Sequence, residues 1–286
     1  MGGGAGNKTV RSFLQGYLQN TGPGLAHVHN GPHTNSKVEL LAGDFWLNVY
    51  SDALSVGSDL LTGNGIAKFT ALRNLENRLS ESGHNYDYVM IDLPPSFGGL
   101  VRSALYSSDY LLIPCTSDTF SEYCIGLISQ MLPQFVSDWE MGIARFKQNN
   151  YGSSEYEGLG RPVYAGWIFN GYDTRSGKLL RADTAHYQNI DAANAKLADT
   201  LKEKLKNYDP VNTSKNYNIG TVEDMNVLIQ NSLWLNVPAA KLAAHQQVKN
   251  LTGDKQKWSE AQLGLIGKVS KQINAVADRI IADLEI

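Results

Sequence analysis

Apolar residues along this chain fall into short continuous runs and longer stripes of helical spacing, with polar, glycine-containing joints between them. Val38–Asp44, "VELLAGD", is a short apolar run closed by a Gly-Asp turn, which predicts a buried strand. Ile66, Phe69, Leu72, Leu75 and Leu79 share one helical stripe, and Gly83 stands where that helix would stop. "YDYVMIDL" follows as a second apolar strand, then a turn, then a helix over "GLVRSALYSS". "YLLIPC" (Tyr110–Cys115) predicts a strand leading to helical "SEYCIGLISQMLPQF", and "VYAGWIF" (Val163–Phe169) predicts a further strand. Asn149–Gly160 reads as a polar surface insertion.

Strands that are apolar throughout and separated by helices indicate a mainly parallel sheet covered on both faces, a three-layer α/β protein. Such a sheet binds ligands at the carboxyl ends of its strands. Asp92, Asp118 and Asn170 fall at or just after those ends. The C-terminal third reads as helical, with amphipathic Lys196–Asn207, then Val222–Trp234 running towards Pro238. In the last helix Ser259 and Gln262 form a capping box, followed by Leu263, Ile266, Val269, Ile273, Val276, Ile280 and Leu284 at spacings of three and four. This pattern divides the chain into an irregular segment 1–37 holding one amphipathic piece at Val10–Leu18, an α/β domain 38–250, and a C-terminal helical extension 251–286 packed on the domain or on a partner.

Composition narrows the function classes. With 286 residues, 42% hydrophobic and 19% charged, the chain has the make-up of a globular protein with an ample core. A net charge of −3 excludes a chain that binds nucleic acid through overall charge. Cys115 and Cys124 carry no metal or disulfide spacing and read as core thiols. His27, His29 and His33 match no zinc pattern and read as a solvated loop. From Ala239 onward seven basic residues face five acidic ones, a small excess that a solvated helix face also explains. The start has no apolar core of signal-peptide type, and no run has the ~18 apolar residues of a membrane span, so a cytoplasmic protein with no membrane partner is expected.

The run "YDYVMIDLPPSFGGLVRSALYSSDYLLIPC" resembles the Walker B region of the ParA/MinD-like partition ATPases, the branch of the P-loop NTPases with a deviant phosphate loop. "VELLAGDFWLNVYSDAL", "TSDTFSEYCIGL", "IFNGYDTRSGK" and "IGTVEDMNVLIQNSLWLNVPAAKL" resemble further segments of that family in the same order, over roughly Thr9 to His245. The resemblance implies ATP and Mg²⁺ as cofactors, with Asp92 on the metal side through a water, Pro94 stiffening the turn, Asp118 beside the nucleotide and Asn170 reading the adenine edge. A strand tip fixes a carboxylate for a hard cation, and a carboxamide offers donor and acceptor together. Gly98 and Gly99 would permit close approach to a phosphate or a second subunit. Taken alone, Asp92 also fits a cap or turn former, and Asn170 a turn residue before Gly171.

The phosphate loop itself is not matched. Its only candidate, "GGGAGNKT" (Gly2–Thr9), has Asn7 between Gly6 and Lys8 and no strand before it. No catalytic residue is therefore assigned. The resemblance implies a homodimeric, cytoplasmic, nucleoid-associated bacterial ATPase for DNA or cargo partition. Its partners would be non-specific DNA and a ParB-like or other adaptor protein. Two expectations stand beside each other: such an ATPase truncated before its phosphate loop, or a nucleotide-independent binding or scaffold module on the same fold.

Overall fold

A computed structural model describes residues 9–31, 33, 37–56, 63–94, 96–149, 153–211, 216–249 and 254–284. The chain divides into two compact units. The first comprises Met1–Gly31, Ser36–Leu111 and Leu132–Val163; the second comprises Pro32–Asn35, Leu112–Met131 and Tyr164–Ile286. The architecture is α/β, with a C-terminal helix as expected.

The first unit is helical among its described residues. Helices α1 (Val10–Gln19), α2 (Leu47–Val56), α3 (Gly63–Phe69), α4 (Ala71–Glu81) and α5 (Gly99–Ser107) pack on one another. The stripe of Ile66, Phe69, Leu75 and Leu79 is buried as its spacing requires, with Leu72 half-buried. It is split into α3 and α4 at Thr70, whose hydroxyl bonds the Ile66 carbonyl at 2.9 Å and competes with the continuing ladder. Gly83 follows α4 at φ +89°, a left-handed conformation that ends the helix. Gly99 opens α5 against α2: a Cβ there would lie 2.7 Å from the Leu54 Cβ and from the Ser51 carbonyl. The close approach permitted by the Gly98-Gly99 pair is therefore made to α2.

Two expected strands of this unit are not formed. Val38–Asp44 makes only isolated bridges, Leu40 with His29 and Ala42 with Thr9. Tyr86–Leu93 forms no strand, and Tyr88, Val89, Met90 and Ile91 are exposed, Met90 to 84%. Apolar character makes a strand only when a neighbour completes its backbone ladder. No hydrogen bond joins Asp87–Leu93 to another described residue.

In the second unit, β1 (Tyr110–Thr116), β2 (Val163–Tyr172) and β5 (Asn218–Glu223) form a three-stranded sheet in the order β1-β2-β5, with β2 and β5 parallel. The middle strand carries Tyr164, Ala165, Trp167 and Phe169, all fully buried, and ring contacts join Trp167 and Phe169 to each other and to Tyr187. After β1 the chain enters α6 (Thr119–Asn149), which runs on into the first unit, and two-residue strands β3 (Thr174–Arg175) and β4 (Lys178–Leu179) pair antiparallel. Helix α7 (Arg181–Lys204) begins well before the amphipathic stretch read from sequence. Helix α8 (Val227–Leu235), a 3₁₀ turn over Ala239–Ala244 and the β6 (Gln247–Val248)–β7 (Lys255–Gln256) hairpin lead to α9 (Glu260–Asp283).

Helix α9 starts at the expected capping box: Ser259 Oγ accepts from Gln262 N at 3.2 Å, and Gln262 Oε1 accepts from Ser259 N at 2.9 Å. Ile266, Val269 and Val276 are buried and the helix packs on β5, whereas Leu263 and Ile273 of the same stripe are exposed. Gly220 sets the distance of approach, since a Cβ there would lie 2.6 Å from Val276 Cγ2. Gly264, on the same helix, has open space around it. Thermal or urea unfolding should therefore separate two substitutions: Gly220→Val destabilising by about 1–3 kcal/mol through overpacking, and Gly264→Ala stabilising by about 0.4–1 kcal/mol.

Candidate functional site

The carboxyl ends of β1 and β2 lie side by side. A Cβ on Gly171 would stand 3.7 Å from Thr116 Cγ2, and Asp183 of α7 takes hydrogen bonds from both the Ser117 hydroxyl and the Asp173 backbone N–H. This end of the sheet brings Asp118 and Asn170 together. Asp92 and Pro94 belong to the first unit and are described there.

Asp118 immediately precedes α6 and caps it: Oδ1 accepts from Ser121 N at 2.7 Å, while Oδ2 accepts from the Thr116 hydroxyl at 2.6 Å. Ser121 Oγ accepts in turn from Thr116 N at 3.0 Å. Partial burial pushes the Asp118 carboxyl up, but the Thr116 and Ser121 hydrogen bonds and nearby His186 outweigh it and hold it below the usual range. Aspartate is a preferred N-cap residue and stands immediately before the helical run from Thr119, so this role was legible in "TSDTFSE".

Asn170 sits at the carboxyl end of β2 opposite Val222, with its side chain exposed and making no hydrogen bond to a described residue. The register shifts between Asn170 and Tyr172. Around that shift the second unit holds polar groups that no motif announced. Glu223 ends β5 only 8% exposed; one carboxylate oxygen accepts from the Thr174 hydroxyl, and the other is held by charge against Lys268 of α9. Gln272, one turn further along α9, accepts from Glu223 N at 3.1 Å and donates to the Tyr172 hydroxyl at 3.0 Å. These contacts join residues some 50 and 100 positions apart, beyond the reach of local patterns.

In the first unit Asp92 is exposed and makes no hydrogen bond or ion pair with a described residue. Pro94 is exposed, and its carbonyl accepts from Ser96 N at 2.8 Å in a local turn. Asp92 thus stands on an unpaired segment instead of at the tip of the expected buried strand. Upstream, Glu39 accepts from His84 Nδ1 at 3.0 Å and from the Tyr86 hydroxyl, tying down the start of that segment. These hydrogen bonds, Tyr86 first, hold the Glu39 carboxyl below its ordinary range. Desolvation, then the bond to Glu39, pushes the Tyr86 phenol up to about 12. Downstream, Arg102 of α5 is committed to structure: it lies over the Phe69, Tyr106 and Phe135 rings and pairs with Asp138 at 2.8 Å.

The other candidates have ordinary environments. "GGGAGNKT" lies outside the described residues apart from Thr9, whose hydroxyl donates to Asp44 at 3.1 Å. Cys115 is buried, which pushes its thiol up to about 12, and Cys124 is half-buried. His27 and His29 are exposed, while His33 meets His245 edge-on at 5.1 Å. Among the basic residues after Ala239, Lys241 donates to the His33 carbonyl, Lys268 pairs with Glu223 and Arg279 with Asp283. No helix among the described residues is long and apolar enough to cross a membrane.

Comparison with known proteins places part of the chain in context. Residues 56–141 match the family described as AAA domain, a stretch that includes Asp92, Pro94 and Asp118. An uncharacterized protein of Methanocaldococcus jannaschii is 33% identical over 87 residues, 30% of this chain and 29% of that protein. ParA family proteins of Chlamydia pneumoniae and Chlamydia trachomatis are each 32% identical over 90 residues, 32% of this chain and 32% of theirs. The alignments thus span about a third of the length of these relatives. The crystal structure of protein DIP2308 from Corynebacterium diphtheriae superposes with a TM-score of 0.61 at 16% identity, covering 98% of this chain and 76% of that one, a likeness of fold.

Replacing Asp118 tests its capping role. Asp118→Ala should lower stability by about 0.5–2 kcal/mol at neutral pH. Because the folded carboxyl is held below its unfolded value, its contribution is full above the ordinary carboxylate range and is lost as pH falls through the folded value. Wild type and variant should therefore converge in acid, measured as the difference in urea midpoint between pH 7 and pH 3.

Proposed function

We propose that the chain is a ParA/MinD-like P-loop ATPase that serves ATP-dependent partition or positioning of DNA or another cargo through nucleotide-gated dimerisation, a reading supported by the match of residues 56–141 to an AAA domain. The observation that carries this reading is the position of the "DLPP" stretch inside the matched segment, with the Asp92 carboxylate exposed and unengaged by the described residues.

Two of the described residues, Asp92 and Asn170, have the chemistry that the cofactors implied by the family call for. Asp92 offers the hard oxygen that Mg²⁺ prefers and would hold it through water, as a single carboxylate suffices when phosphate and water complete the shell. Bound Mg²⁺ supplies charge neutralisation at the phosphoryl oxygens. Asn170 presents an exposed carboxamide able to donate to and accept from an adenine edge. Pro94 restricts the turn after Asp92, and Asp118 fixes the entry to α6 on the side of the sheet where Asn170 stands. Homodimerisation, an adaptor protein of ParB-like kind and non-specific DNA binding belong to the same reading.

One observation favours a second reading, a binding or scaffold module that works without nucleotide: the segment behind Asp92 forms no strand to fix the carboxylate. Calorimetric titration of the full chain with ATP, with and without Mg²⁺, separates the two. The ATPase reading predicts micromolar MgATP binding, a loss of at least tenfold (about 1.4 kcal/mol) for Asp92→Asn only when Mg²⁺ is present, and a faster-sedimenting species with MgATP. Failure of the full chain to bind ATP at millimolar concentration would leave the scaffold reading. DNA retardation that weakens steeply with salt would support the nucleoid partner; no retardation at low salt would remove it.

A further inference from the structure

We infer that Gln272, on the C-terminal helix α9, is a positioning residue for Asn170, holding the irregular end of β2 that presents this carboxamide; the inference rests on the base-reading role proposed for Asn170.

Strict alternation along β2 would bury Gly171 and expose Tyr172 after buried Phe169. Instead Asn170 and Gly171 are both exposed and Tyr172 turns back inward. The partners show the cause: Asn170 faces Val222 and Tyr172 faces Glu223, so one extra residue, Gly171 at φ +70°, stands between two pairs that are adjacent on β5. A bulge of this kind re-aims the side chain beside it and leaves the ladder locally incomplete.

Just past the bulge the Asp224 N–H donates to the Tyr172 carbonyl at 2.9 Å, and Gln272 adds a side-chain bridge beside it. Its Oε1 accepts the Glu223 N–H at 3.1 Å and its Nε2 donates to the Tyr172 hydroxyl at 3.0 Å, so one carboxamide grips both strands immediately past Asn170. The Tyr172 hydroxyl also meets Thr221 Oγ1 at 3.0 Å, and the Tyr172 ring stacks on Phe169 at 5.2 Å and 8°. One turn earlier on α9, Lys268 pairs with Glu223. Both residues project onto the strand ends from a helix whose approach is set by Val276 over Gly220. Removing the Gln272 carboxamide frees Tyr172 from α9 and leaves the Glu223 N–H without its acceptor. The bulge can then relax, and with it the direction of Asn170.

The test uses the full chain and the variants Gln272→Ala, Gln272→Glu, Asn170→Ala and the Gln272→Ala/Asn170→Ala pair. Gln272→Glu keeps the acceptor for Glu223 and is the milder change should Gln272→Ala fold poorly. Two quantities are read: hydrogen exchange at the Glu223 amide without nucleotide, and the preference for MgATP over MgGTP in binding. The expected result is exchange at Glu223 accelerated about tenfold or more in Gln272→Ala. The MgATP preference should fall severalfold in both Gln272 variants, the double variant should be no worse than Asn170→Ala, and the Mg²⁺ requirement should not change. A full base preference in Gln272→Ala, with Asn170→Ala losing it, overturns the positioning role and leaves the reading of Asn170 standing. An unchanged preference in Asn170→Ala, or no ATP binding by the unmodified chain, overturns the base-reading role and the inference built on it.

Discussion

A backbone removed from water has to find its hydrogen bonds inside the protein, and in the second unit β2 is the element through which that demand is met. It is the middle strand, with β1 on one edge and β5 on the other, so its peptide groups are satisfied on both sides. Only under that condition can a chain bury Tyr164, Trp167 and Phe169 nearly in succession. Polar atoms inside this core are handled individually: the Tyr164 hydroxyl donates to buried Asn194 at 2.6 Å, and the Tyr164 N–H donates to the Tyr208 hydroxyl at 2.7 Å. Trp167 Nε1 finds no partner among the described residues, which costs stability, while the indole ring packs against Phe169 and Tyr187.

The same demand explains why chemistry gathers at the carboxyl ends of these strands. Where β1 and β2 stop pairing, side chains take over from the ladder. Asp118 closes the first turn of α6, Asp183 gathers Ser117 and the Asp173 amide, and Gln272 spans the bulge at Tyr172. Asn170 differs from these neighbours because its side chain makes no hydrogen bond to a described residue.

The first unit shows the opposite outcome. Asp87–Leu93 has the composition of a buried strand, yet no described strand lies alongside it, and it stays outside any helix or strand with Tyr88, Val89, Met90 and Ile91 exposed. Anchors at either end define its course: Glu39 with His84 and Tyr86 upstream, and Gly99 packed on α2 downstream. Glu39 precedes Tyr86 by 47 positions, so nothing local in the sequence pairs them. Of the glycines after Pro94, Gly99 lacks a side chain because α5 packs closely on α2 there.

By itself the sequence determined the elements whose stability is local or whose pattern is long. The capping box and three-four spacing of α9, the stripe of α3 and α4, the α5 helix, β1 and β2 are all formed where the pattern places them. It also placed Asp118 and Asn170 at element ends, whereas the strand expected before Asp92 is not formed; the order of its motifs resembles that of the ParA-like family. Only the tertiary structure decided which apolar runs become strands, which face of α9 is covered, and whether a polar residue at a strand end is spent on the fold or left free. The physical reason is the same in each case. A helix satisfies its own backbone through residues four apart, whereas a strand, a bulge or a carboxylate needs a partner from elsewhere in the chain, and that partner is fixed only by folding.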